Sequence, residues 1–246
     1  MRIIPAIDLI EGKCVRLEKG DYARKKVYQE NPLEVAKKFE AHGLKYLHLV
    51  DLDGAKAGKI VNARVLEKLA THTQLRIDFG GGIKSDADVK TAFDAGAQQI
   101  NIGSTAVKDR ALMMRWIEQF GPESMILSAD VKEGKIAIDA WQRLTDIDLM
   151  DFIKDYRAAG IRTISCTDIA KDGMLQGASV DLYQEVMKAF PDIQLVASGG
   201  VTSLEDIERL QQLDLFGAIV GKAIYEGRIS LKDLGAIILR RSKKSP

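Results

Sequence analysis

The sequence predicts an α/β protein folded as a single (β/α)8 barrel, the TIM-barrel architecture, built as a two-fold half-barrel repeat. Three observations predict it. Eight short runs rich in valine, isoleucine and leucine recur along 246 residues with longer helical patterns between them, and strands that alternate with helices pair in parallel. The runs are continuously apolar, as in strands covered on both faces. The chain also matches itself: Ile4-Pro-Ala-Ile-Asp8-Leu-Ile-Glu-Gly12-Lys is similar to Leu127-Ser-Ala-Asp130-Val-Lys-Glu-Gly134-Lys, and Gly82 and Gly200, like Gly103 and Gly221, stand 118 residues apart. One barrel therefore spans 1–246, with halves at approximately 1–122 and 123–246. A four-stranded half leaves a sheet edge and an apolar face open, and two halves closing on each other remove both.

In order, the strands are expected at 3–7, 46–50, 75–79, 98–102, 125–129, 163–167, 193–197 and 218–220. Helix starts are marked by Asn31-Pro32, Ser85-Asp-Ala-Asp88 and Ser203-Leu-Glu-Asp206, where a side-chain oxygen caps free backbone N–H groups. The last helix runs from about 230 to 241, and the basic tail after it reads as a solvated end. Lys plus Arg at 36 against Asp plus Glu at 35 leaves +1, which gives no broad footprint for nucleic acid or an anionic membrane. The first apolar run is too short for a signal segment, and no stretch reaches the roughly 18 apolar residues of a membrane span. A cytoplasmic protein is expected, with Cys14 and Cys166 as buried free thiols.

Chemistry in this architecture lies at the carboxyl ends of the strands, and phosphate commonly binds after strands seven and eight. Here that pair of loops occurs twice. Gly81 and Gly82 follow the third strand and Gly103-Ser104 the fourth; Gly199-Gly200 follow the seventh and Gly221-Lys222 the eighth. Glycine lets backbone N–H groups approach phosphate oxygens, and a helix start adds a favourable dipole. Two cradles across one mouth imply a ligand with a phosphate at each end. Asp8 and Asp130 each end an apolar strand, where a carboxylate is costly unless paired or functional. Opposed carboxylates whose pKa values are pushed apart supply a base and an acid. The sixth strand adds Thr167, Asp168 and Asp172; Asp51 and Asp168 fit as organisers of equivalent loops. His48 fits either a core histidine or a ligand facing the mouth. Trp141 reads as a loop aromatic able to stack on a planar group, and the polar stretch from Glu18 through Gly20 to Arg24 as a glycine-containing lid. No metal-ligand spacing and no dinucleotide fingerprint occur, so no cofactor is expected.

Taken together, Ile4-Pro-Ala-Ile-Asp8-Leu, His48-Leu-Val-Asp51-Leu-Asp53-Gly-Ala, Gly80-Gly-Gly-Ile, Ile102-Gly-Ser-Thr-Ala, Cys166-Thr-Asp-Ile-Ala-Lys-Asp172-Gly and Ser198-Gly-Gly-Val resemble the ProFAR isomerases of histidine biosynthesis over nearly the whole chain. The resemblance implies an Amadori rearrangement of a bisphosphorylated aminoimidazole carboxamide ribonucleotide, without a cofactor or an obligatory protein partner. By motif position it makes Asp8 the general base, Asp130 the acid with Asp172 a close rival, Thr167 a substrate-positioning hydroxyl and Trp141 the cover of the imidazole end. Met174 and Lys84 depart from the usual threonine and arginine. The rivals are the cyclase subunit of imidazole glycerol phosphate synthase, a dual-substrate isomerase that also takes phosphoribosyl anthranilate, and a non-catalytic binder of phosphorylated metabolites. Against the cyclase stand Ala6-Ile-Asp8, where that subunit typically has Cys before Leu-Asp, and Cys166-Thr-Asp168, where it has a serine-containing motif; Arg143 keeps the dual-substrate reading open.

Overall fold

The computed structural model describes residues 1–18 and 21–242. Twelve strands form one sheet: β1 (Arg2–Ile10), β2 (Lys13–Glu18), β3 (Asp21–Gln29), β4 (Tyr46–Asp51), β5 (Arg76–Gly80), β6 (Gln99–Ile102), β7 (Met125–Lys132), β8 (Lys135–Ile138), β9 (Arg143–Asp148), β10 (Thr163–Asp168), β11 (Gln194–Ser198) and β12 (Gly217–Val220). Eight of them are parallel and close on themselves in the order β1-β4-β5-β6-β7-β10-β11-β12 and back to β1. These are the eight strands expected from the apolar runs, each displaced by three residues or fewer at either end. Asn31 caps the helix Pro32–Ala41, Ser85 caps Asp86–Asp94, and Ser203 closes a capping box with Asp206 on Leu204–Gln212.

The other four strands were not expected. After β1 and again after β7 the chain turns back on itself and adds an antiparallel hairpin, β2–β3 in the first case and β8–β9 in the second. The segment read as a polar lid after the first strand is thus mainly a hairpin, with Gly20 lying outside the described residues. Its entry turn explains the repeated Glu-Gly-Lys. Glu11 and Gly12 have φ of 53° and 71°, and Glu133 and Gly134 have 52° and 78°. Two successive left-handed residues make the tight turn whose twist matches paired strands.

Side chains alternate across each barrel strand. Those facing outward, such as Ile7, Leu49, Phe79, Leu127 and Leu195, form the main core between the sheet and the surrounding helices. The interior holds a small apolar plug of Ile4, Ala6, Val196 and Ile219 near its amino end, flanked by Tyr46 and Phe216. Toward the carboxyl end the inward positions become polar, so the mouth of the barrel is lined with groups that need partners. Among the described residues no helix is long and apolar enough to cross a membrane.

Candidate active site

The matched glycines shape the mouth. Gly81 and Gly82 have φ of 96° and 83°, and Gly199 and Gly200 have 86° and 77°, a region that side chains other than glycine's avoid. Space forbids a side chain too: a Cβ on Gly82 would stand 2.5 Å from the Lys59 carbonyl oxygen, and one on Gly199 would stand 2.9 Å from that of Asp168. Gly103 and Gly221 precede the short helices Ser104–Lys108 and Lys222–Tyr225 with nearly the same φ, −113° and −112°. The loops behind them are organised by the two aspartates read as equivalent. Asp51, fully buried, accepts hydrogen bonds from the backbone N–H groups of Gly54, Val61 and Asn62 at 2.7–2.8 Å and from the Asn62 amide at 2.6 Å. Asp168 accepts from Ala170 N–H at 3.0 Å and from the Ser179 hydroxyl at 2.5 Å.

One cavity of about 280 Å³ gathers Asp8, His48, Gly81, Gly82, Gly103, Ser104, Asp130, Trp141, Thr167, Asp172, Gly199, Gly200, Gly221 and Lys222. Every site residue expected from the sequence lies on it except Gly20, which is outside the described residues. Each hairpin sends one side chain back to the carboxylate of the barrel strand before it. From β2, Arg16 forms an ion pair with Asp8 at 2.7 Å and donates to the Ala6 carbonyl at 2.9 Å. Its guanidinium sits 5.5 Å from the Tyr225 ring centre and packs so closely on Gly221 that a Cβ there would collide with it. Arg16 therefore joins the carboxylate to the second glycine cradle. Sequence reading missed it. A lone arginine in Lys13-Cys-Val-Arg16-Leu looks like a surface residue until the Glu-Gly turn folds that run onto the first strand.

From the β8–β9 turn, Trp141 donates its indole N–H to Asp130 at 2.9 Å. That turn carries Asp139, Ala140 and Trp141 at φ of 58°, 53° and 69°, three left-handed non-glycine residues costing about 1–3 kcal/mol each. The conformation is fastened from below: Asp139 N–H donates to the Ser104 hydroxyl at 3.0 Å, and the Asp139 carboxylate pairs with Lys108 and, at 3.4 Å, with Arg143. Ser104 thus anchors the tryptophan turn as well as lying beside a cradle. Lys222 is tethered to the Gly173 carbonyl at 2.8 Å, on the loop that carries Asp172.

The carboxyls differ in their surroundings. Burial raises Asp130, while hydrogen bonds from Trp141, Thr167 and Ser128 pull it back toward the ionised form. Burial pushes Asp172 up to about 6; Arg16 opposes this, and the charges of Asp8 and Asp130 add to it. Cys14 and Cys166 are buried and unpaired, with burial pushing Cys14 up to about 12. Among the described residues no group of three His, Cys, Asp or Glu side chains is placed to hold a metal ion.

Comparison with known proteins places the chain. The family described as "Histidine biosynthesis protein" matches residues 2–230. A Flavobacterium johnsoniae protein named 1-(5-phosphoribosyl)-5-((5-phosphoribosylamino)methylideneamino) imidazole-4-carboxamide isomerase is 57% identical over 239 residues, covering 97% of this chain and 100% of its own. Proteins of the same name from Parabacteroides distasonis and Bacteroides thetaiotaomicron are each 56% identical over 234 residues, covering 95% of this chain and 98% of theirs. At that coverage and identity, the chain belongs to the histidine biosynthesis protein family.

Proposed function

We propose that this protein is a ProFAR isomerase. It opens the aminoaldose ring of a bisphosphorylated aminoimidazole carboxamide ribonucleotide and rearranges it to the aminoketose. The carrying observation is the pair of matched glycine cradles facing each other across a mouth whose opposed carboxylates, Asp8 and Asp130, each have a partner delivered by a hairpin. The cradles formed around Gly81, Gly82, Gly103 and Ser104 and around Gly199, Gly200, Gly221 and Lys222 hold one phosphate each. Two halves, approximately 1–122 and 123–246, contribute one cradle apiece. The work is done in the cytoplasm without cofactor, nucleic acid or obligatory protein partner.

In this reading Asp8, held in place by Arg16, removes the proton from C2 of the opened imine. The C–H electron pair becomes the C1–C2 double bond of an enaminol as the C1–N π pair passes to the protonated imine nitrogen, and proton return to C1 with loss of the hydroxyl proton leaves the ketone at C2. Ring opening needs a proton on the ring oxygen. Asp172 is the better placed donor, because a carboxyl pushed up to about 6 is still partly protonated near neutrality. Asp130 is the second reading: burial raises it, but an indole N–H can only donate, which favours its ionised form. There Asp130 fixes Trp141 over the planar end of the substrate and Thr167 steadies the sugar.

The test is turnover of ProFAR by purified protein in the presence of a chelator, followed directly and by coupling to the synthase that consumes the product. Conversion without ammonia supports the isomerase. Cyclase activity on the aminoketose with ammonia supplied would move the protein to the sister activity, and turnover of phosphoribosyl anthranilate would widen its substrate range.

A further inference from the structure

The interior layer beneath Asp8 and Asp130 contains an ion pair that the reaction as described does not use. His48 on β4 and Asp78 on β5 are direct neighbours across the parallel strands. The ring nitrogen Nδ1 of His48 lies 2.5 Å from Asp78 Oδ1, and both side chains are largely buried, 15% and 12% exposed. The Asn101 amide on β6 approaches the same carboxylate oxygen at 3.4 Å. A buried pair at such a depth is expensive, and an apolar residue at either position would extend the plug of Ile4, Ala6, Val196 and Ile219.

A carboxylate can only accept, so Nδ1 carries a hydrogen, and the character of the other ring nitrogen follows from the charge state. In the neutral ring Nε2 is an acceptor; in the imidazolium it is a donor. His48 lines the cavity of the active site, and among the described residues no protein group hydrogen-bonds Nε2. We propose that Asp78 is a positioning residue for the isomerisation, holding His48 as an imidazolium whose Nε2–H is presented to a sugar oxygen of the substrate between Asp8 and Asp130. The proposal rests on the isomerase reading. Its chemical sense is that oxygen on C2 passes from hydroxyl to carbonyl with charge building on it, where a fixed donor acts most strongly.

The charges facing the ring come from four strands: Asp78 from β5, Asp8 from β1, Arg16 from β2 and Asp130 from β7. Burial disfavours the charged ring, but the Asp78 carboxylate and the charge of Asp8 outweigh both burial and Arg16, and His48 is held above the usual histidine range. An imidazolium so held persists at pH values where a free histidine is neutral.

The experiment is an NMR titration of the three histidines, His42, His48 and His72, in the full chain and in Asp78→Asn, with steady-state kinetics from pH 6 to 8.5. In the unaltered protein His48 titrates above the usual histidine range; if it titrates within that range or below, the proposal is overturned without recourse to any variant. In Asp78→Asn the His48 midpoint falls. The ratio of kcat to that of the parent then declines as pH rises, to a loss of about 10-fold or more at pH 8, and recovers toward pH 6, where the ring charges unaided. A loss equal at every pH marks Asp78 as merely structural and overturns the proposal. Failure of the isomerase reading looks different: the parent itself then shows no turnover at any pH.

Discussion

The two hairpins occupy equivalent places, one after β1 and one after β7, and each answers the carboxylate of the strand before it, yet they answer differently. The first supplies Arg16, a permanent cation 2.7 Å from Asp8. The second supplies Trp141, a neutral donor 2.9 Å from Asp130. One scaffold repeated twice thus presents two carboxylates in unlike electrostatic settings, and the hairpins supply the sharpest part of the difference, with Thr167 and Ser128 of the barrel adding hydrogen bonds to Asp130. The barrel strands repeat the frame; the appended strands divide the labour.

That contrast can be broken from either side. The largest effect is expected from Asp8→Asn, which removes the proposed base and should lower kcat by about 10²- to 10⁴-fold while the protein still folds, with a lower melt because Arg16 loses its counter-charge. Near-normal turnover would end the assignment. Next comes Asp172→Asn, with a loss of about 10²-fold or more and a changed pH profile. If Asp172 must be protonated, activity of the parent falls as pH rises through about 6, and the variant lacks that limb. Stability falls in the same direction. The folded-state pKa lies above the unfolded value, so this carboxyl favours the folded state while protonated and costs stability as pH rises from about 4 through 6. At pH 8 the variant should therefore melt about 2–4 °C higher, as about 1 kcal/mol gives in a chain this long.

Arg16→Met should follow, lowering kcat/KM by about 10- to 100-fold, because the substitution deprives Asp8 of its buried cationic partner and removes the packing against Gly221. Trp141→Phe is the mildest. It keeps an aromatic ring but loses one donor to Asp130, which Thr167 and Ser128 still support, and a hydrogen bond to a charged group at the low end of its range is worth about 1.5 kcal/mol, or roughly 10-fold in kcat/KM. If Trp141→Phe hurt more than Arg16→Met, the second half and not the first would carry the base.

How much of this the sequence discloses follows from the range of the interactions. The eight barrel strands are legible because burial on both faces writes a local, continuous apolar signal, and the helix starts because capping is settled within four residues. The cradles are legible because glycine is required by backbone geometry and recurs at one spacing. Arg16 is not, since its partner lies across an antiparallel pairing that Arg16-Leu-Glu and Asp21-Tyr-Ala-Arg-Lys-Lys do not advertise in a polar-looking stretch. Yet the clue was present: Glu11-Gly12 and Glu133-Gly134 belong to the internal repeat, and a two-residue left-handed turn between strand-forming runs is a hairpin signal. Asp78 stayed hidden because a single acid in an apolar run has no local mark of its cross-strand partner.

The near-equality of the glycine cradles carries one more consequence. A site that grips both ends of its ligand in the same way offers two senses of insertion, head first or tail first, and by themselves the cradles discriminate weakly between them. A cation on one side and an indole on the other supply the missing polarity. Exchanging the two would be expected to leave affinity for a symmetric bisphosphate almost intact, while the natural ligand would sit reversed, its reactive carbon facing the wrong carboxylate.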